Sequence, residues 1–214
     1  MNSISALKKN TRIRLSPADK RELILETAAQ LFLEHGFSGM RINDLIEQVG
    51  GSKTNFYTHF ESKEALFNAV TERLISQVMD PLKQLGLDSS RSMKDALTEA
   101  ALQMHHTLFS ERGVRLQLIL YWECQNGRVS GREAYLHGPA GAVDLLAAYF
   151  DDHRSSFPNL AGKQRQAANH FLGLVIYPPM LQYFCALPQT GSARTQANAV
   201  RRAVKHFLEL LPHL

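Results

Sequence analysis

A short run of residues carries the groups that read a nucleic-acid surface. Lys53, Thr54, Asn55, Tyr57, Thr58 and His59 surround Phe56, and Phe60 follows one helical turn later. Lys can donate to guanine, an Asn carboxamide matches adenine, and a Thr methyl can meet the thymine methyl in a major groove. Tyr57 and His59, and Lys63 just beyond, are side chains that can donate to phosphate oxygens. Ser52 stands where an N-cap would, so the first backbone N–H groups of this helix also face outward. Phe56 and Phe60 are four apart, share one face and are the expected buried anchors. The competing reading is a short polar helix on the surface of a bundle.

These residues need a scaffold, and the flanking sequence supplies one. Residues 19–35 place Ile24, Ala28, Leu31 and Phe32 at helical spacing, with Gly36 as a stop. Residues 41–49 repeat the pattern with Ile42, Leu45, Ile46 and Val49, closed by Gly50. A tight Gly50-Gly51-Ser52 turn leads into the polar helix, and Ser62 caps a further helix running toward Pro81. Three helical patterns with a glycine turn between the second and third form a helix-turn-helix layout.

The combination resembles the DNA-binding domain of the TetR (tetracycline repressor) family. The resemblance rests on Ile24, Ala28-Ala29, Leu31-Phe32 and Gly36-Phe37, then Ile42, Asp44-Leu45 and Gly50. It continues through Ser52-Lys53, Phe56-Tyr57 and Phe60, then Ser62-Lys63-Glu64-Ala65-Leu66. It implies a homodimeric, ligand-responsive transcription factor. The expected function is a repressor released from a pseudo-palindromic duplex operator, and the apolar lining of the second domain points to a small apolar effector. The family's DNA contacts map onto Ser52, Lys53, Thr54, Asn55, Tyr57, Thr58, His59 and Lys63. Two positions depart from the family pattern. Met40 and Arg41 stand where a capping Ser or Thr is usual, so Arg41 is expected to give a charged phosphate contact while the cap is lost or moves to Ser38. Gly51 replaces a small apolar residue in the turn.

The remainder reads as helices separated by breakers: 91–109, 112–125, 132–153 interrupted at Gly138, Pro139 and Gly141, 161–186 bent at Pro178-Pro179, and 192–211. No alternating strand pattern appears, so the expected fold class is all-α. The expected division is a basic arm over 1–17, the helix-turn-helix domain over 18–78 and a helical effector and dimer domain over 79–214. Lys8, Lys9, Arg12, Arg14, Lys20 and Arg21 against the single acid Asp19 give the arm and the start of the first helix a phosphate-seeking charge; the plainer reading is a solvated tail.

In the second domain, Leu102, His105, His106, Phe109, Leu120, Tyr121 and Trp122, with Phe171 and Tyr177 from the bent helix, combine apolar surface with polar tips as an effector pocket needs. The same composition serves an ordinary core. Ala199, Val200, Ala203, Phe207 and Leu210 form an apolar stripe on the last helix, read as a surface for a second copy or as internal packing.

Composition narrows the classes further. Hydrophobic residues are 44%, charged residues 21% and the net charge +4, an ordinary globular balance. No apolar run reaches the roughly 20 residues of a membrane span, and the basic N-terminus lacks the apolar stretch of a secretory signal. Two cysteines, Cys124 and Cys185, without metal-type spacing fit a reducing cytoplasm. Adjacent His105 and His106 point about 100° apart on a helix and do not chelate one ion together. Phosphate loops, nucleophile elbows and paired carboxylate–histidine motifs are missing, so neither enzymatic activity nor a cofactor is expected.

Overall fold

The computed structural model describes residues 16–85, 91–187 and 192–214. Residues 1–15 of the basic arm, with Lys8, Lys9, Arg12 and Arg14, lie outside them, while Ser16 and Pro17 already open the first helix. Among the described residues the fold is all-α, as the sequence pattern predicts. Helices run α1 Pro17–Gly39, α2 Ile42–Val49, α3 Lys53–Tyr57, α4 Lys63–Lys83, α5 Met93–Leu108, α6 Glu111–Gln125, α7 Gly131–Tyr135, α8 Gly141–Asp152, α9 Gln164–Val175, α10 Tyr177–Phe184 and α11 Ala193–Leu210. Serine sets many of the starts. Ser16, Ser52, Ser62, Ser92, Ser110, Ser130 and Ser192 each accept a hydrogen bond from the backbone N–H three residues on. These bonds satisfy N–H groups that have no partner within the helix.

Two cores share α4. The first gathers Phe32, Phe37, Leu45, Phe56 and Phe67 from α1–α4 with Leu116 and Leu120 of α6. Phe67 meets Phe32 and Phe37 edge-on, at 4.9 and 5.3 Å between ring centroids. The second core starts at Val78 and Met79 on the same α4 and runs through Leu97, Leu146, Phe150, Phe171 and Phe207. The expected division at 78/79 thus falls inside one unbroken helix, and α6, which follows that division in the chain, packs on the first core.

The prolines and glycines act differently from expectation. Pro81 does not end α4, which continues to Lys83. Gly138 and Pro139 do not break the chain; Leu136–Ala140 form a π-helical turn between α7 and α8. The wider turn accommodates a proline that has no N–H to donate. The expected helix over 161–186 separates at Ile176, and Pro178-Pro179 sit in the first turn of α10, where a missing N–H has no consequence. Gly113 is needed at the α5–α6 corner, because a Cβ there would lie 2.1 Å from the Thr107 carbonyl oxygen.

Candidate nucleic-acid interface

The polar helix α3 is held by its apolar side. Phe56 and Phe60 are buried, as their spacing predicts, while Lys53, Thr54, Asn55, Tyr57 and Thr58 are exposed and His59 is half-buried. The helix is shorter than expected, ending at Tyr57, with Thr58 and His59 in the following turn. Ser52 Oγ accepts from the Asn55 N–H at 3.2 Å, and the Thr58 hydroxyl donates to the Asn55 carbonyl at 2.7 Å. Tyr57 stands edge-on to Phe56 at 5.2 Å, and the Arg21 guanidinium lies 5.2 Å from the Phe60 ring centroid. Rigid packing beneath and exposed polar side chains above suit a helix that presents side chains to a groove.

The turn before α3 is shaped by glycine. Gly51 has φ +124°, and a Cβ there would lie 3.4 Å from the Asn55 carboxamide oxygen. Any side chain there would be strained by that backbone, while its Cβ would meet Asn55 at ordinary contact distance. Lys20, read from the sequence only as part of the basic charge, donates to the Val49 and Gly50 carbonyls at 2.6 and 2.7 Å. It thereby closes the C-terminal end of α2 with a cation. No local pattern marks that role, because 29 and 30 residues separate the partners.

The departure at Met40-Arg41 resolves simply. Arg41 occupies the N-cap of α2 with no side-chain cap bond, so the cap is lost rather than moved, and its guanidinium is exposed. Met40 is buried in the first core. Lys63 donates to the Ser38 carbonyl at 3.4 Å and lies 4.8 Å from the Phe37 ring centroid. Burial pushes its ammonium below the ordinary lysine range, Glu64 and Glu123 oppose that shift, and Arg128 adds to it. The second domain therefore reaches a residue on the proposed phosphate-facing side.

Sequence and structure of known proteins agree with this layout. Residues 24–70 match the profile of bacterial regulatory proteins of the tetR family. Residues 95–210 match the C-terminal domain of AefR-like transcriptional repressors. The chain belongs to the TetR family. The repressor NemR of Escherichia coli K12 is 30% identical over 155 residues, covering 64% of this chain and 70% of NemR. The match to RutR of the same strain is 41% over 64 residues, only 30% of each protein, and that to YerO of Bacillus subtilis spans 24% of YerO. A TetR-family regulator from Mesorhizobium loti superposes with TM-score 0.77 at 24% identity, over 94% of this chain and 98% of that one. At that identity the likeness shows the fold. The flavonoid-responsive regulator FrrA superposes with TM-score 0.65 at 27% identity, over 90% and 96%. The chain is accordingly a DNA-binding transcriptional regulator and not an enzyme.

The residues expected to line an effector pocket are scattered. Phe109 is buried beside Tyr183, Leu120 belongs to the first core and Phe171 to the second. Leu102 packs on the second core from its edge. Tyr121, Trp122 and Tyr177 are exposed, with Trp122 67% accessible. His105 is half-buried against Phe109 at 4.6 Å, and burial, helped by His106, pushes its imidazole below the ordinary histidine range. His106 alone of these nine lines a cleft of about 310 Å³ between α1, α4 and the α5–α6 corner.

The dimer stripe also divides. Val200 and Phe207 are buried in the chain's own second core with Val204 and Leu211, so they offer nothing to a partner. Ala203 packs beside them, and Ala199 and Leu210 are exposed. A stripe on one face of a helix packs inward in the same way whether or not a partner is present. Among the described residues no helix is long and apolar enough to cross a membrane, and no group of three His, Cys, Asp or Glu is placed to hold a metal ion.

Proposed function

We propose that this protein is a repressor whose α3 enters the major groove of a pseudo-palindromic operator and which a small molecule releases. The exposed face of Lys53, Thr54, Asn55, Tyr57 and Thr58 above the buried Phe56 and Phe60 carries the reading. Ser52, His59 and Lys63, and Arg41 at the start of α2, take the phosphate side. Two copies pair through the exposed sides of α9, α10 and α11, including Ala199 and Leu210, which places two recognition helices about 34 Å apart or a multiple of that. NemR, a transcriptional repressor, supports the direction of control, and the flavonoid-responsive FrrA supports a small-molecule signal.

The deciding experiment selects binding sites for the full-length protein from a random duplex library and measures affinity for the selected duplex across salt concentrations. A two-fold symmetric consensus bound with a steep salt dependence supports the reading. Recovery of no consensus, with equal affinity for every duplex, overturns it.

A further inference from the structure

The cleft beside His106 has a wall chemistry of its own. One side is apolar, with Leu25 and Ala29 of α1, Val70 and Leu74 of α4, and Leu116 of α6. The other carries two guanidinium groups, Arg73 of α4 and Arg112 of α6, facing one carboxylate, Glu26 of α1. Arg112 donates to both oxygens of Glu26, at 2.5 and 3.2 Å. Arg73 pairs with Glu22 at 2.5 Å outside the cleft wall and lies 3.3 Å from Glu26. Yet Nη1 of Arg73 is shielded from solvent and makes no hydrogen bond, so its contact with Glu26 is an ion pair of poor geometry. Two arginines thus share two acids, Glu26 in the wall and Glu22 beyond it, and Nη1 of Arg73 is left as a donor facing no hydrogen-bond acceptor.

We propose that this cleft binds a small acidic amphiphile, its carboxylate on Arg73 and Arg112 and its hydrocarbon part against Leu25, Leu74 and Leu116. The fork of a guanidinium matches a carboxylate, and Glu26 shows that the position accepts one. At about 310 Å³ the cleft is at the small end of ligand pockets, which run roughly 300–1,000 Å³, so the ligand is a single ring or a short chain. A bound carboxylate competes with Glu26 for both arginines. Glu26 stands on α1, which carries the first core, and Arg112 on α6, so the competition acts on the ion pairs that tie α6 to the DNA-binding helices. The inference rests on the small-molecule response proposed above only for its effect on DNA; the site itself is independent of it.

The test titrates benzoate and octanoate, with benzamide and octanamide as uncharged counterparts, into the full-length protein by calorimetry. Affinity for the selected duplex is then measured with and without each compound. One carboxylate is expected to bind once per protomer, at least tenfold more tightly than its amide. Arg73→Gln should weaken it at least tenfold. Because Arg73 also ties helices together, Gln77→Trp provides a second variant. Gln77 is an exposed wall residue, so an indole there can occupy the cleft against its apolar wall without replacing any core side chain. That variant should lose carboxylate binding while keeping its circular dichroism and melting curve. Amides binding as well as acids, either variant binding as wild type, or no binding by either acid overturns the proposal. A carboxylate that binds, is blocked by Gln77→Trp and leaves duplex affinity unchanged keeps the site and removes the ligand-response reading. Release by an uncharged compound that Gln77→Trp does not impair, with no acid bound, removes the cleft and keeps that reading.

Discussion

Arg128 donates a 2.7 Å hydrogen bond to the carboxylate of Glu123, which is 3% exposed at the end of α6. The same guanidinium lies 6.0 Å from the Phe37 ring centroid, the ring that also carries Lys63. Removing the arginine leaves a buried acceptor without its donor, a loss of about 1–3 kcal/mol. The lower half of that range applies, because the Arg128 side chain is 44% exposed and screened by water. Arg128→Ala should lower the urea midpoint accordingly, and adding Glu123→Gln should recover part of the loss by removing the charge. An unchanged midpoint in Arg128→Ala would show that water serves Glu123 equally well.

Lys20 is expected to matter more to the shape of the helix-turn-helix than to its charge. Its ammonium serves two carbonyls at the end of α2. Lys20→Met keeps most of the side-chain volume and removes both bonds, at a cost of about 1–3 kcal/mol for charged donors. Hydrogen exchange should quicken in α2 and in the turn through Gly51 while α9 and α11 stay protected. Uniform acceleration across all helices would instead indicate only a global loss of stability.

Asn55 and Lys63 should separate base reading from phosphate contact. Asn55→Ala should weaken the selected duplex by about 1–3 kcal/mol and relax preference at one base position. Lys63→Ala should weaken all duplexes alike and flatten the salt dependence by about one unit of slope. Its effect has a second source, since Lys63 also holds the Ser38 carbonyl. Lys63→Arg should therefore retain the salt slope that the alanine variant loses. Equal sequence preference in Asn55→Ala and wild type would move the base contact to another residue of α3.

How much of this was legible in the sequence depends on the reach of each interaction. The anchors Phe56 and Phe60, the Ser52 and Ser62 caps and the Gly50 stop act within one helical turn, and each stands where its spacing predicts. The Glu26–Arg112 pair spans 86 residues, and no local pattern announces it. The effector residues are hard to read for a related reason: apolar side chains on α5, α6 and α9 turn to whichever core their helix meets, Leu120 of α6 to the first and Phe171 of α9 to the second. Periodicity gives the face of a helix but not the neighbour that covers it, which is why Phe207 reads equally as partner surface and as core.

Acid should act on the α1–α6 connection. The hydrogen bond from Arg112 holds the Glu26 carboxyl below its ordinary value of 4.5; partial burial opposes the shift, and the charges of Arg112 and Arg73 add to it. An acid with a depressed folded pKa contributes stability that is fully present above its unfolded value and is lost as pH falls through the folded one. Stability from this pair is therefore intact above about pH 5 and declines below 4.5. Glu26→Gln should be less stable than wild type at pH 7, and the gap should narrow as the pH falls toward 3. Parallel urea midpoints for the two proteins from pH 7 to pH 3 would mean that Glu26 contributes nothing to the pH dependence.

The two ends of the α11 stripe call for opposite outcomes. Phe207 is fully buried, packed 5.2 Å from the Phe171 ring and 5.5 Å from the Phe150 ring. Phe207→Ala should cost about 3–5 kcal/mol of folding stability through the cavity it leaves, whatever the oligomeric state. Leu210 is 48% exposed in the single chain, so Leu210→Glu costs the protomer little. If two copies meet across the exposed side of α11, that charge lands in an apolar contact and should shift light scattering from dimer toward monomer at micromolar concentration, with circular dichroism unchanged. Operator affinity should fall in parallel, because a half-site bound by one recognition helix forgoes the second. A Leu210→Glu protein that remains dimeric and binds the duplex as wild type would place the partner surface elsewhere on α9 or α10.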